Sequence, residues 1–183
     1  MDRPPESFAE ALASGDTDRV NEAIDEIEAV DKADRVEPYP ELFEACYPIY
    51  ESADGYVRQS VVRFLRDAYP LLEIRIAGSE TARVDGYTVD DLTEHRTRLV
   101  EFLLEALEDD DGRVRKAAAD AFDLFGVAID LAALDAEQEA LTDALDALVE
   151  ALPAEKAKHA EEARESVARM GLFGGLLSGP DSL

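Results

Sequence analysis

The residues with the most chemical potential in this chain are one cysteine, two histidines and a run of aspartates. Cys46 is the only cysteine among 183 residues, so the chain can form neither an intramolecular disulfide nor a cysteine-based metal site. His95 and His159 are too far apart for the spacing of a helical metal-binding pair, and we expect each to be a structural histidine. The run Asp109–Gly112 lacks the alternating ligands and distal glutamate of a calcium loop, which favours a turn that also caps the next helix. These patterns predict no catalytic residue, no metal and no cofactor, and we expect a protein that is not an enzyme.

Three other side chains are suited to recognising an anionic partner. Gln59, Arg63 and Arg66 lie off the apolar stripe of a predicted helix. Exposed arginines in an otherwise acidic protein offer an ion-pairing site for another protein. The alternative is pairing within the helix, to Asp67 or to neighbouring acids.

The charge balance is strongly acidic. The chain has 43 Asp and Glu against 18 Lys and Arg, a net charge of −25 and a pI of about 4.2. Acids occur along nearly every predicted helix, whereas lysine is scarce beside arginine. This composition predicts adaptation to molar salt, where a Debye length of about 3 Å screens self-repulsion; a partner-binding acidic surface is the other interpretation. It argues against non-specific nucleic-acid binding, which needs a basic surface.

The distribution of apolar residues predicts where in the cell the protein is located. Apolar residues make up 46 % of the chain, enough for the packed core of a single domain. The first ten residues lack the apolar segment of a signal peptide, and no apolar run approaches the roughly 18 residues of a spanning helix. We therefore expect a soluble cytoplasmic protein that does not enter a membrane.

Apolar residues recur with helical periodicity through most of the chain. The periodicity predicts eight helices, at about 5–13, 17–30, 39–51, 55–69, 89–108, 112–131, 136–151 and 154–170. Short links after the first, third and fifth helices predict antiparallel pairs, because a short connection brings neighbouring helices side by side. Gly171 is predicted to end the last helix, which leaves a glycine-rich tail over 171–183.

Two of the predicted helices begin with the same motif. Asp54–Arg58 reads DGYVR, and Asp111–Arg115 reads DGRVR. From each motif's valine, apolar residues follow at i+4, i+7, i+8 and i+11, which is one face of an α-helix. The two stripes are Val57, Val61, Phe64, Leu65 and Ala68, and Val114, Ala118, Ala121, Phe122 and Phe125. A single helix pair cannot bury such a face, so the pairs are expected to stack on one another.

The D-G-x-V-R start followed by small and apolar residues resembles the second helix of a HEAT repeat, over 54–68 and 111–126. The resemblance implies an all-α fold, a right-handed α-solenoid of about four stacked antiparallel helix pairs. One domain, 1–170, would contain the pairs 5–30, 39–69, 89–131 and 136–170. With its acidic composition, the chain is similar to such proteins of halophilic archaea.

The resemblance also implies roles for the motif's polar residues. In HEAT repeats, an aspartate before the second helix and an arginine inside it form ladders between neighbouring repeats. In this chain that role would fall to Asp54 with Arg58 and to Asp111 with Arg115. The first and last pairs lack the D-x-x-V-R start, as capping repeats would.

A long link interrupts the repeats over 71–91, with the insertion itself at 71–88. Apolar residues alternate around Gly78–Ser79 at Ile74, Ile76, Val84 and Tyr87, which predicts a short hairpin or an ordered loop. Loops of this length inside a domain are uncommon and tend to be functional. A variable insertion without a role is the alternative.

Fold analogy predicts a protein–protein interaction module or scaffold that uses an extended helical-repeat surface. The partner, another protein, would contact either the second helices or the 71–91 link. The alternative is a nucleic-acid-binding or DNA-repair role, against which the acidic surface weighs. A role resembling that of HEAT-like bilin lyases or chaperones is a third interpretation. The sequence leaves the oligomeric state and the identity of the partner open.

Overall fold

The described part of the chain is built from helices. A computed structural model describes residues 3–52 and 54–177, and side chains for 3–51 and 54–168. The helices are α1 (Pro5–Ala13), α2 (Thr17–Ala29), α3 (Tyr39–Ser52), α4 (Gly55–Ala68), α5 (Glu73–Ala77), α6 (Thr93–Leu107), α7 (Gly112–Leu131), α8 (Asp135–Ala151) and α9 (Ala154–Leu177), with 3-10 turns at Ala33–Arg35 and Asp90–Leu92. In these residues the only β-type pairing is an isolated bridge between Val84 and Tyr87. The predicted all-α class is confirmed, and no helix in this part is both long and apolar enough to cross a bilayer.

All eight predicted helices are present, but the last one is longer than predicted. α9 continues through Gly171, where an end was predicted, to Leu177. A glycine inside a helix costs only about 1 kcal/mol relative to alanine, so it does not stop a helix by itself. The remainder of the predicted tail, 178–183, lies outside the described residues.

The link over 71–91 is ordered, although it is not the predicted hairpin. Glu73–Ala77 is helical, and the chain reverses instead at Asp85 and Gly86, between the two bridged residues Val84 and Tyr87. Both turn residues have positive φ, which glycine adopts without strain. The apolar side of the link closes a second, small core, whose buried members are Ala33, Val36, Leu72, Ile76 and Leu92.

Helices contact each other in a serial order. α1 packs on α2, α3 on α4, α6 on α7, and α8 on α9, so each predicted pair is in contact. Contacts also join α2 to α4, α4 to α7, and α7 to α9. The second helices of the four pairs therefore form one continuous row, which we call the second-helix row.

The row is held by the two apolar stripes of the repeated motif. All ten stripe residues are buried, and Leu65, Val114 and Phe122 have no exposed surface. First helices add aromatic contacts: the Phe102 ring of α6 lies 5.0 Å from Tyr50 and 5.6 Å from Phe43, both on α3. Such aromatic pairs stabilise beyond the area they bury.

The two copies of the motif meet in space at their first turns. Asp54 caps α4 by accepting the N–H groups of Tyr56 and Val57, and Asp111 caps α7 by accepting that of Arg113. Hydrogen bonds from Arg113 lower the pKa of Asp111 to about 2, so this cap is ionised at neutral pH.

The arginines of the motif bind partners other than those that the resemblance implied. Arg58 makes a two-pronged ion pair with Asp109, at 2.8 Å for both Nε and Nη2. Asp109 also accepts the Tyr50 hydroxyl at 3.1 Å. Arg115 donates to the main-chain carbonyls of Asp109 and Asp110 at 2.7 and 3.0 Å. The link between neighbouring pairs thus uses Asp109, in the turn before α7, where the resemblance had implied the capping aspartates.

Gly55 permits this meeting. A Cβ atom at position 55 would overlap the side chain of Asp111, whereas one at Gly112 would meet only Arg115 Nη2, at 3.5 Å. The same motif glycine is therefore required in one copy and dispensable in the other.

Alanine substitution at the two glycines should separate these roles. Gly55→Ala should lower the free energy of unfolding by about 1–3 kcal/mol, because α4 and the turn before α7 must move apart. Gly112→Ala should leave it unchanged or raise it by up to about 1 kcal/mol, through the lower entropy of the unfolded chain. Denaturant titration in molar KCl measures both, and equal effects would contradict the close contact.

The core assignment predicts a difference within α7. Phe122→Ala should cost about 3–5 kcal/mol because it leaves a cavity, whereas Leu124→Ala, at a position 50 % exposed, should cost well under that. Thermal melts of both variants in molar KCl provide the measurement. An unchanged melting temperature for Phe122→Ala would refute its place in the core.

Candidate functional site: a cationic cleft in the second-helix row

A cleft of about 330 Å³ lies where the ends of α2 and α4 meet α7. Three cations, Lys32, Arg35 and Arg66, line it together with apolar side chains that include Leu71, Leu124 and Phe125. We call it the cationic cleft. Its volume is at the lower end of the range of ligand pockets.

Arg35 is fixed by the ends of two helices. Its guanidinium donates to the carbonyls of Glu28 and Val30 at the end of α2 and to that of Asp67 at the end of α4, at 2.6–2.9 Å. These carbonyls would otherwise lack partners, and a cation there also complements the negative ends of the helix dipoles. Because carbonyls carry no net charge, the positive charge of Arg35 is not cancelled by these bonds.

Lys32 contributes a second cation beside Arg35. Its side chain is half-buried, and burial lowers its pKa, with the nearby charges of Arg35 and Arg75 lowering it further. Among the described residues the Lys32 ammonium has neither an ion pair nor a hydrogen bond, whereas the other three lysines are ion-paired. An unpaired half-buried ammonium favours the approach of an anion.

The three predicted partner-binding residues are all half-exposed on α4, but only Arg66 lines the cleft. Arg66 binds Asp67 through Nε and Nη2 at 2.7 and 2.8 Å, which is the intrahelical pairing that the sequence offered as the alternative. Arg63 has no ion pair in the described residues. Gln59 and Arg63 extend the same face of α4 away from the cleft, at spacings of seven and three residues from Arg66.

The apolar wall combines buried and exposed groups. Phe125 and Leu71 are buried at 2 and 7 % exposure, while Leu124 is 50 % exposed. Leu71 has a φ of 49°, in the left-handed region that costs about 1–2 kcal/mol for a residue with a side chain. This conformation turns the chain directly after α4 and sets Leu71 into the wall.

An ionic network lies behind the cleft and fixes the link to the helices. The hydroxyl of Tyr69, a cleft residue, donates to Glu73 Oε1, and Arg96 donates to the same oxygen at 3.1 Å. Arg96 also binds Glu137 of α8, at 2.7 Å for Nη2. Burial alone would lower the pKa of Arg96, but Glu137 and Glu73 raise it, so the guanidinium stays charged.

The inner part of the network is excluded from water, whereas the Glu137 side chain is 37 % exposed. Glu73 is fully buried, and Arg96 and Tyr69 are 1 and 2 % exposed. Burial and the Glu73 carboxylate raise the pKa of Tyr69 well above its usual value, so its hydroxyl remains a donor. Glu73 Oε2 has no hydrogen-bond partner among the described residues, so the ion pair with Arg96 must offset most of the cost of burying this carboxylate.

The remaining polar candidates have structural partners. The His95 ring lies 3.0 Å from the Val36 carbonyl, and His159 lies 3.4 Å from Glu162. Cys46 is fully buried, and burial raises the pKa of its thiol to about 12, as expected of an unreactive cysteine. In the described residues no three His, Cys, Asp or Glu side chains are grouped as a metal ion would require.

A wider depression, of about 1270 Å³, lies between α1, the segment after α2 and the link. Its charged lining contains five acids, Asp31, Asp34, Glu37, Glu41 and Asp85, with Arg3 and Arg75. Arg75 contacts Asp31 and Asp85 at 3.4 and 3.6 Å. This surface repeats the acidic character of the whole chain, so the cationic cleft is the more distinctive site.

No protein-family model matches the chain, and neither a curated protein nor a solved structure shows significant similarity to it.

Sequence reasoning missed three cleft residues. Lys32 and Arg35 precede α3 in a segment without periodicity, and their proximity to Arg66 depends on the contact between α2 and α4. Leu124 was detectable in principle, because it lies off the apolar stripe that contains Phe122 and Phe125. A leucine at such a position is expected to be exposed on the surface of the helix.

Two arginines of α6 provide a matched test of the network. Arg96→Met should lower the free energy of unfolding by about 3–5 kcal/mol, because it leaves the Glu73 carboxylate buried without a counter-charge. Arg98→Met removes a partly exposed pair with Glu44 and a guanidinium that lies 4.4 Å from the centre of the Phe43 ring, and it should cost about 1 kcal/mol because the methionine side chain keeps the contact with the ring. Denaturant titration compares them, and similar losses would show that the network contributes little.

Proposed function

We propose that this chain is a HEAT-like helical-repeat protein, a right-handed α-solenoid of about four pairs that acts as a non-enzymatic protein–protein interaction module. The repeated motif and the serial contacts of the second-helix row support this architecture. Each repeat contacts mainly its neighbours in such proteins, which leaves long surfaces for binding.

The charge of α4 is the observation that carries the proposal. Gly55–Ala68 contains Arg58, Arg63 and Arg66 against Asp67 alone, whereas the chain as a whole has a net charge of −25. No other α-helix of the described chain has a net positive formal charge. Arg58 is bound by Asp109 and Arg66 by Asp67, so Arg63 is the arginine of α4 without an ion pair among the described residues, and Arg66 lies beside it at the cleft.

The same face offers apolar area. Leu124 and Leu131 are 50 and 46 % exposed, and they are the large apolar side chains most exposed in the described residues. They are seven residues apart on α7, which places them on one side of a helix that packs against α4. Arginine beside exposed apolar side chains is typical of protein interfaces.

The acidic residues of the remaining surface are better explained by a high-salt environment than by a role in partner binding. A net charge of −25 repels itself at low ionic strength, and molar salt screens that repulsion. We propose that the carboxylates serve solubility in salt, and that the cationic face of α4 serves recognition.

Charge reversal on α4 tests the proposal. Arg63→Glu with Arg66→Glu should reduce capture of a partner protein from native extract by about tenfold or more, because two attractive contacts become repulsive. Arg98→Glu with Lys158→Glu makes the same change in net charge on α6 and α9 and should leave capture unchanged. Quantitative mass spectrometry of material captured by the whole protein, in low and in molar KCl, gives the readout.

Two outcomes would overturn the proposal. Equal capture by wild type and both double variants would show that α4 takes no part in binding. In a gel-shift experiment, wild-type protein could bind a labelled single-stranded oligonucleotide while the α4 variant does not. That result, with binding strongly weakened by salt, would favour the nucleic-acid role instead.

A further inference from the structure

We infer that the cationic cleft binds an acidic peptide segment of the partner protein, with a carboxylate of that segment on Lys32 and one of its apolar side chains against Leu124. The inference rests on the proposed function and adds the chemistry of the partner at one place on the second-helix row.

Lys32 is the cation best placed to receive a carboxylate from outside. The other lysines are committed to Asp120, Asp110 and Glu162, while Lys32 has no such partner among the described residues. Its half-buried position removes part of the water around the ammonium group. Glu73 and Asp31 offset only part of that loss, because neither carboxylate is within ion-pairing distance of the ammonium. A bound carboxylate supplies the missing partner.

The surroundings of Lys32 reinforce the preference for an anion. Burial lowers the pKa of the Lys32 ammonium most, and Arg35 and Arg75 lower it further by charge repulsion, whereas the smaller opposing effects of Glu73 and Asp31 do not reverse the shift. The charge of Arg35 is held in place by main-chain carbonyls, so it cannot turn away from the cleft to relieve this repulsion. An acidic ligand would raise the pKa of Lys32 and lower the free energy of the whole cationic group.

The acids of the cleft do not satisfy this demand. The Asp67 carboxylate is bound at both oxygens by Arg66, and Glu28 contributes its main-chain carbonyl, rather than its side chain, to Arg35. Three cations and two acids line the cleft, so it has an excess of positive charge inside a chain of net charge −25.

Leu124 defines the apolar half of the ligand. Its exposed side chain borders a wall whose other members include the buried residues Phe125 and Leu71, so Leu124 supplies most of the apolar surface that a ligand group placed there would cover. Burying that surface is favourable in proportion to its area, and it depends little on salt. A ligand with both an acidic and an apolar group therefore fits better than a simple anion.

The extent of the cationic surface favours a peptide over a small carboxylate. Arg63 lies three residues from Arg66, about 4.5 Å along α4, and the uncharged Gln59 lies about 10 Å from Arg66 on the same face. A small molecule that fills a cleft of about 330 Å³ would leave Arg63 untouched. An extended acidic segment reaches the cleft and Arg63 together.

Fluorescence polarisation with two synthetic probes tests the inference. The first is a labelled peptide of sequence DDEFLEDD, and the second is DDESSEDD, which has the same charge without the apolar pair. Wild-type protein should bind the first about tenfold more tightly than the second. Lys32→Met and Leu124→Ser should each weaken binding of the first peptide by about fivefold or more, since each removes one half of the recognition.

Lys158→Met is the matched control, because Lys158 is an exposed lysine of α9 whose removal changes the net charge by the same amount. Thermal melts establish that each variant is folded. Equal binding by wild type, Lys32→Met and Leu124→Ser, or no binding of the first peptide, would overturn the inference. 4-Methylvalerate could displace the first peptide and bind with the same affinity as that peptide. In that case the site would be one for a small carboxylate, and the peptide inference would also be wrong.

The outcome is separable from the test of the proposed function. Failure of both peptides, with partner capture still lost in the Arg63→Glu and Arg66→Glu variant, would place the partner on α4 outside the cleft. If neither peptide bound and the Arg63→Glu and Arg66→Glu variant still captured the partner, nothing would support recognition at this face.

Discussion

The packing of this protein depends on the contact between the first turn of α4 and the turn before α7. Two capped helices begin side by side there, and Asp111 occupies the space where a side chain at Gly55 would lie. Asp109 then receives Arg58 and Tyr50 from the neighbouring pair. These polar contacts set the distance at which the apolar stripes of α4 and α7 meet, and close packing tolerates little change in that distance.

Arginine has two distinct uses in this chain. Arg35, Arg58, Arg96 and Arg115 bind carbonyls or carboxylates at helix ends and junctions, where a planar fork of donors satisfies several acceptors at once. Arg63 and Arg66 lie on the surface of α4. Because most of the other cations serve the structure, the small excess of positive charge at the cationic cleft is conspicuous against the acidic surface.

The shape of the cleft depends on the link as well as on the second-helix row. Leu71 turns the chain after α4, and Glu73 then enters the protein interior to meet Arg96. The network holds the link against α6 and α8, so Tyr69 and Leu71 have fixed positions in the cleft wall. The link therefore shapes one wall of the cleft between the helices.

Sequence periodicity alone determined the all-α class, the eight long helices and the buried stripes, because a helix that buries one face must repeat apolar residues every three to four positions. The aspartate turn over Asp109–Gly112 was also visible as the cap of the helix that follows it. Tertiary structure decided which residues become neighbours: Asp109 takes the place implied for the capping aspartates, and Lys32 and Arg35 join Arg66 across α2 and α4. Those contacts join residues distant in the chain, and local periodicity carries no information about the packing distances that select them.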